Sequence, residues 1–375
     1  MIGKPLVQEL KFRSGRELIE HACEGAKEIS ENQNTIIYSI AGPVDNLHRT
    51  IVKITNQDGI EQKNIPFAEE VENRLSAAGV KNKIVYVIND GESAAYAEFS
   101  PLGILAKLND GDLGMAVIIG NGVGGRLYMK KGDRIVPVPG AFEPGHRLVP
   151  RQLVRQLGIV DLFHKPKNDV IRFNCGCGIK SEVRINGDSL DGNDICYETL
   201  VKGPAFEKLF NRFLTAISIN NNDSRPLRER LRSPRPTMTF DEVNTSPFFW
   251  SVTYGHYVNN KELSRILSEV KGKEPISDTI FAKEGTILGY VFQKIQDGFN
   301  DYANPITFAL VAGVGGNFGK FIVPHVESYL GNMKRFNQIS SWGKTPNVTV
   351  GKLPSDETNL YGDMFYMLDI NKHKA

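Results

Sequence analysis

Asp90 directly follows the apolar run of residues 84–88 (Ile-Val-Tyr-Val-Ile), with Asn89 before it and Gly91 after it. A carboxylate at the end of a buried strand is placed to take a proton from a substrate hydroxyl, and Asn89 to hydrogen-bond the same substrate. The position equally suits an aspartate capping the helix that follows Gly91. Glu143-Pro-Gly-His146 sets a carboxylate and an imidazole three residues apart, a pair suited to gripping vicinal hydroxyls. Cys175-Gly-Cys177 adds two thiols. With His146 they make three zinc donors, and a structural zinc site takes four. Glu182 and Cys196 are alternatives for the fourth, and two free buried thiols are the alternative to any metal. Residues 120–125 (Gly-Asn-Gly-Val-Gly-Gly) and 313–319 (Gly-Val-Gly-Gly-Asn-Phe-Gly) are glycine-rich and each follows an apolar run. Such turns let backbone N–H groups converge on phosphate oxygens, and the second also feeds a helix N-terminus. A purely structural turn is the competing reading. No Gly-Lys-Ser/Thr of a Walker loop follows either turn, and no early Gly-x-Gly-x-x-Gly with a downstream acid marks a dinucleotide enzyme.

Those groups need elements to hold them. Apolar residues at helical spacing predict helices over residues 15–31 and 67–78, and further helices over 92–99, 284–302 and 320–330. Strands are predicted at 35–40, 51–54, 84–88, 115–119 and 307–311, with a hairpin of 127–129 and 135–138. Residues 84–88 read as a strand buried on both sides, followed by a polar loop at its carboxyl end, where open α/β sheets bind ligands. The segment from about 191 to 249 is the least regular. Its Arg225–Arg235 stretch carries Pro226 and Pro234, which exclude one long helix, and reads as a solvated surface insertion or a phosphate- or partner-binding patch.

Composition sets the outer limits. The 375 residues are 41% hydrophobic and 23% charged, which excludes a mainly disordered chain and suits two domains. Lys plus Arg is 45 against 43 for Asp plus Glu, a net charge of +2 that gives no electrostatic case for nucleic acid or an anionic membrane. Apolar stretches such as 115–119 and 308–311 are far shorter than the roughly 20 residues of a membrane helix. Four cysteines make no disulfide framework. A cytoplasmic protein without nucleic-acid or membrane partners is the expectation.

The order of the motifs is more specific than any one of them. Gly42-Pro-Val, Asn89-Asp90-Gly-Glu-Ser-Ala-Ala, residues 120–125, Glu143-Pro-Gly-His146, Cys175-Gly-Cys-Gly and Val314-Gly-Gly-Asn317 follow one another as in the ROK family of sugar kinases and related sugar-responsive repressors, which this chain resembles over about 35–177 and 281–368. The resemblance implies an α/β, actin-like fold of the hexokinase/Hsp70 type: two lobes with ATP and sugar in the cleft between them. The small lobe would be residues 1–112, N-terminally incomplete and completed by a C-terminal helix at 357–375; the large lobe would be 113–356 with an irregular insertion around 190–250.

By the same resemblance the chain is a Mg2+- and ATP-dependent kinase of a hexose, glucose first, or of an N-acetylhexosamine, acting as a homodimer or tetramer. Asp90 would be the general base. Asn56, Asn89, Glu143, His146 and Glu182 would hold the sugar. Gly120, Asn121, Gly122, Gly124 and Gly125 would form one nucleotide turn; Gly313, Gly315, Gly316 and Asn317 would form the other. His146, Cys175 and Cys177 would bind a structural zinc. The chain departs from the family at three places. It contains no Asp-x-Gly-Gly-Thr, and it begins about where that phosphate-binding hairpin would end. It reads Ser181-Glu182-Val183-Arg184 where Gly-Cys-x-Glu belongs, and Asn121 stands for a threonine. The alternative these departures favour is a non-catalytic sugar-binding pseudokinase or sensor.

Overall fold

The structure, a computed structural model, describes residues 14–28, 34–40, 42–53, 63–139, 144–163, 170–175, 180–184, 194–233, 235–270, 274–335, 343–353 and 357–374. Helix α1 (Gly15–Glu28) and helix α2 (Phe67–Ala77) turn their apolar stripes onto one core: Leu18, Ile19, Ala22 and Ala26 from the first, Phe67, Val71 and Leu75 from the second. Strands β1 (Thr35–Ile40) and β5 (Ile84–Asn89) pair in parallel beside them. Strands β2 (Val44–Asp45), β3 (Thr50–Lys53) and β4 (Lys63–Ile65) form an antiparallel sheet that buries Ile51 and Ile65 in the same core. Each fully buried aliphatic side chain of this kind contributes roughly 1.5–3 kcal/mol. The two-sided burial expected of residues 84–88 holds only in part: Val85, Val87 and Ile88 are buried, while Ile84, at the start of the strand, is exposed and Tyr86 is half-buried.

A larger sheet follows. Among the described residues its order is Asn347–Val350, Thr307–Ala312, β6 (Leu113–Ile119), β7 (Val123–Lys131), β8 (Arg134–Pro137), parallel for the first three and antiparallel for the last two pairings. All of β6 is buried at its centre. The helices Pro275–Asp297 and Gly313–Arg335 pack on each other at close range, since a Cβ on Gly285 or Gly289 would lie 2.6 and 2.7 Å from His325 Cβ and Tyr329 Cδ1.

Three predicted boundaries move. The helix expected from 284 starts at Pro275, because the Glu274 side chain caps it by accepting from the Ile276 and Ser277 amides, and it stops at Asp297 with Gly298 as cap. Residues 313–319 are not a turn ahead of a helix but its first two turns, and Ala312 and Gly313, at φ +52° and +43°, make the sharp exit from the strand. The segment expected to be least regular contains the helix Gly203–Ala216, whose Phe206, Phe210 and Phe213 join Phe248, Phe281 and Phe318 in the core. Within the basic stretch, Arg230 is 3% exposed and pairs with Glu242, so it is a structural cation rather than part of a solvated patch.

Helix α3 (Asp90–Phe99) lies between these parts. It leaves β5, packs on β6 and β7, and is backed by the C-terminal helix Thr358–Lys374. The two helices nearly touch at the backbone: a Cβ on Gly362 would sit 1.8 Å from Ser93 O. Ser93 Oγ donates to Asp363 Oδ1 at 2.7 Å, and burial pushes that carboxyl up to about 7. No helix among the described residues is long and apolar enough to cross a membrane.

Candidate active site

The expected loop around Asp90 is a helix start. Asn89, not Asp90, is the cap: its Oδ1 accepts from Gly91 N (2.8 Å) and Glu92 N (3.3 Å), and its Nδ2 donates to Gly42 O (2.7 Å). Both ends of the Asn89 amide are therefore engaged by backbone. This leaves Asp90 as the first helical residue, half-buried, with Oδ1 accepting from Gly91 N at 2.9 Å. Gly91 lets the helix start lie close on β7, since a Cβ there would be 3.1 Å from Gly125 N and 3.0 Å from Asn89 Oδ1. A Cβ on Gly124 would be 4.0 Å from Asp90 Oδ1, so the carboxylate faces β7 just past the first glycine turn.

That turn is tight. Gly120 N donates to Gly122 O at 2.9 Å, with Asn121 exposed at the tip, and Val123, Gly124 and Gly125 already belong to β7. Gly313 lies alongside it in a bridge with Ile119, close enough that a Cβ would meet Ile119 O at 2.4 Å. Gly315 is buried over Leu310 and Val117, whereas Gly316 is half-buried and Asn317 exposed. Gly203 N donates to Gly120 O at 2.6 Å. Among the described residues, three helices of ten residues or more thus begin around one glycine turn: α3, Gly203–Ala216 and Gly313–Arg335. The first N–H groups of α3 and of Gly203–Ala216 are taken up by Asn89, Gly120 and Lys202, and the aligned helix dipoles favour an anion there.

A second cluster stands against the same strand. His146 ends a short 3-10 turn, Pro144–His146, and a Cβ on Gly145 would lie 2.3 Å from Val123 O. His146 Nδ1 is 3.7 Å from Cys175 Sγ and 3.8 Å from Cys196 Sγ, and the three donor atoms lie within 4.8 Å of one another. Glu198 Oε2 is 3.7 Å from the same nitrogen. Imidazole and two thiols are donors that zinc takes. Of the two residues offered for a further ligand, the fold brings Cys196 to the cluster, through the pairing of Ile195–Cys196 with Leu148–Val149. Asn56, Glu143 and Cys177 lie outside the described residues, as does the side chain of Glu182, which stands opposite Arg172 in its hairpin.

Sequence reasoning missed the neighbours of Asp90. Glu92, 5% exposed, accepts from Asn46 Nδ2 at 2.8 Å, from Tyr128 Oη at 3.0 Å and from Arg126 Nη1. The period of two along β7 was the available signal, since Gly124, Arg126 and Tyr128 share one face.

A model of the ROK family matches residues 16–229, more than half of the chain. No curated protein sequence matches it. Among solved structures it is similar to a ROK family glucokinase from Streptomyces griseus, in complex with glucose and AMPPNP (TM-score 0.57, 16% identity, covering 94% of this chain and 87% of that one). It is also similar to a glucokinase from Balamuthia mandrillaris in complex with glucose (0.56, 14%, 95% and 84%). A third likeness is to a ROK family transcriptional regulator, a homolog of the E. coli MLC protein (0.54, 14%, 94% and 71%). These likenesses carry the actin-like α/β fold, and the family match carries membership: the chain belongs to the ROK family.

Proposed function

We propose that this protein is a sugar kinase that transfers the γ-phosphoryl group of Mg-ATP to a hydroxyl of a hexose, glucose first, or of an N-acetylhexosamine. One observation carries the reading: the Asp90 carboxylate faces the strand that leaves a glycine turn ringed by helix N-termini. Phosphoryl transfer asks for little else, since positioning and charge neutralisation do most of the catalysis. In this reading Asp90 accepts the proton of the attacking hydroxyl as its oxygen bonds to the γ-phosphorus. The bond from that phosphorus to the β,γ-bridging oxygen breaks, and ADP leaves. Residues 120–125 and the start of the helix at Gly313, with Gly315, Gly316 and Asn317, would receive the nucleotide. Asn56, Glu143, His146 and Glu182 would line the sugar side, with Asn89 holding the helix start that presents the base. The cleft would lie between a lobe of residues 1–112 and one of 113–356.

The donor set of His146, Cys175 and Cys196 fits zinc. When bound, the ion would supply cross-linking, not chemistry, tying the Pro144–His146 turn to the strand Ile195–Cys196 beside β7. Cys196→Ser should weaken zinc binding at least about tenfold, read as metal content after dialysis against a chelator, and should lower the melting temperature. Undiminished zinc in that variant would remove Cys196 from the ligand set.

The test of the activity is sugar-dependent ADP release from Mg-ATP across a panel of hexoses and N-acetylhexosamines. Turnover with one of them establishes the kinase and names its acceptor. A sugar that raises the melting temperature without any turnover would replace the kinase with a non-catalytic sugar sensor.

A further inference from the structure

We propose that Arg126 is a catalytic cation of the transfer, gripping the γ-phosphoryl group as it moves toward the hydroxyl held by Asp90. The inference deepens the kinase reading and rests on it. Arg126 is the second residue past Gly124 on β7, so both project from the same face of the strand, and that face is the one Asp90 looks onto. Its register partner on β6, Ala116, is small, and its own side chain is 39% exposed.

The guanidinium is anchored along one edge. Nη1 donates to Glu92 Oε1, on a carboxylate nine-tenths buried in the first turn of Asp90's own helix. Tyr128 Oη donates to the same oxygen, and the Tyr128 ring lies 6.0 Å from the guanidinium carbon. Asn46 Nδ2 holds the other carboxylate oxygen. Glu92 is therefore the positioning residue: it ties the orientation of Arg126 to the helix that carries the base.

The opposite edge carries the chemistry. An arginine offers five N–H donors in a rigid plane that matches two oxygens of one phosphate. Among the described residues, Nε and Nη2 of Arg126 have no hydrogen-bond partner. A fork fixed along one edge on a buried carboxylate, and carried on the strand face that Asp90 looks onto, is the arrangement a phosphoryl group in flight requires. A lysine could bring the charge there without the fork.

Arg126→Gln, Arg126→Lys and wild type test this by ADP release, by melting temperature with and without sugar, and by calorimetric titration with Mg-AMPPNP. Arg126→Gln should lower kcat/KM for ATP about 10²–10³-fold while the sugar-induced rise in melting temperature persists. Arg126→Lys should recover about tenfold of that loss. Turnover by Arg126→Gln within about threefold of wild type overturns the assignment and leaves the kinase standing. Loss of the sugar-induced shift together with a lowered melting temperature makes Arg126 structural, and also overturns it. If wild type binds Mg-AMPPNP but turns over no sugar, the kinase reading fails and the titration decides alone. Binding weakened tenfold or more in Arg126→Gln then upholds the phosphate grip; equal binding, or none in wild type, ends it.

Discussion

Asp90→Asn should lower sugar-dependent ADP release by at least about 10²-fold and leave sugar affinity within a few-fold of wild type. The substitution is nearly isosteric. Asparagine keeps an oxygen to accept from Gly91 N, so the first turn of α3 should survive, and the cap belongs to Asn89 and is untouched. What it loses is the capacity to accept a proton from a hydroxyl that becomes a phosphoester oxygen. The expected signature is therefore a fall in kcat with little change in KM, together with an unchanged melting temperature. A variant with wild-type turnover would show that Asp90 only shapes the helix start, and the base would have to be sought elsewhere.

The sequence revealed the site's components better than their mutual arrangement. The apolar run before Asp90, the glycines at 120–125 and 313–319, and the His146 and Cys175 donors are all local signals that can be read without the fold. Boundaries set by tertiary contact were not legible. Nothing within residues 313–319 says that Gly315 and Gly319 serve close packing of a helix on strands rather than a turn, because the atoms they approach, Val117 O and the Val350 side chain, are far away in sequence. Cys196 is 21 positions beyond Cys175, and only strand pairing with Leu148–Val149 brings it to His146. The same holds for Glu92 and Arg126: a helix face and a strand face each looked ordinary, and the ion pair exists because α3 crosses β7. The helix Gly203–Ala216 was hidden for another reason. Its phenylalanines are weak helix formers, and they are helical because their burial in the shared aromatic core outweighs propensity.

Glu284→Gln should change how stability depends on pH. Glu284 lies in the helix Pro275–Asp297 at 0% exposure, and neither carboxyl oxygen has a hydrogen-bond partner among the described residues; the hydroxyl of Tyr197, also buried, has none either. An uncompensated carboxylate in such surroundings is strongly disfavoured, so burial pushes the carboxyl well above its ordinary 4.5. The unfolded chain ionises at its ordinary value and the folded chain does not. Between those two pKa values the unfolded state holds one proton fewer, and stability falls as pH rises, by about 1.4 kcal/mol per pH unit for this one group. Its contribution is fully present below 4.5 and is lost on the way up to the folded-state value. Asp363, raised to about 7 by burial, adds a slope of the same sign that levels off near neutrality. Because Asp363 is present in both proteins, the difference between urea melts of Glu284→Gln and wild type isolates Glu284. That difference should move in favour of the variant with each pH unit above about 5, whatever constant offset the buried carboxamide introduces. Parallel curves would mean that Glu284 is ionised in the folded protein and compensated there, and the neutral carboxyl beneath the aromatic core would have to be abandoned.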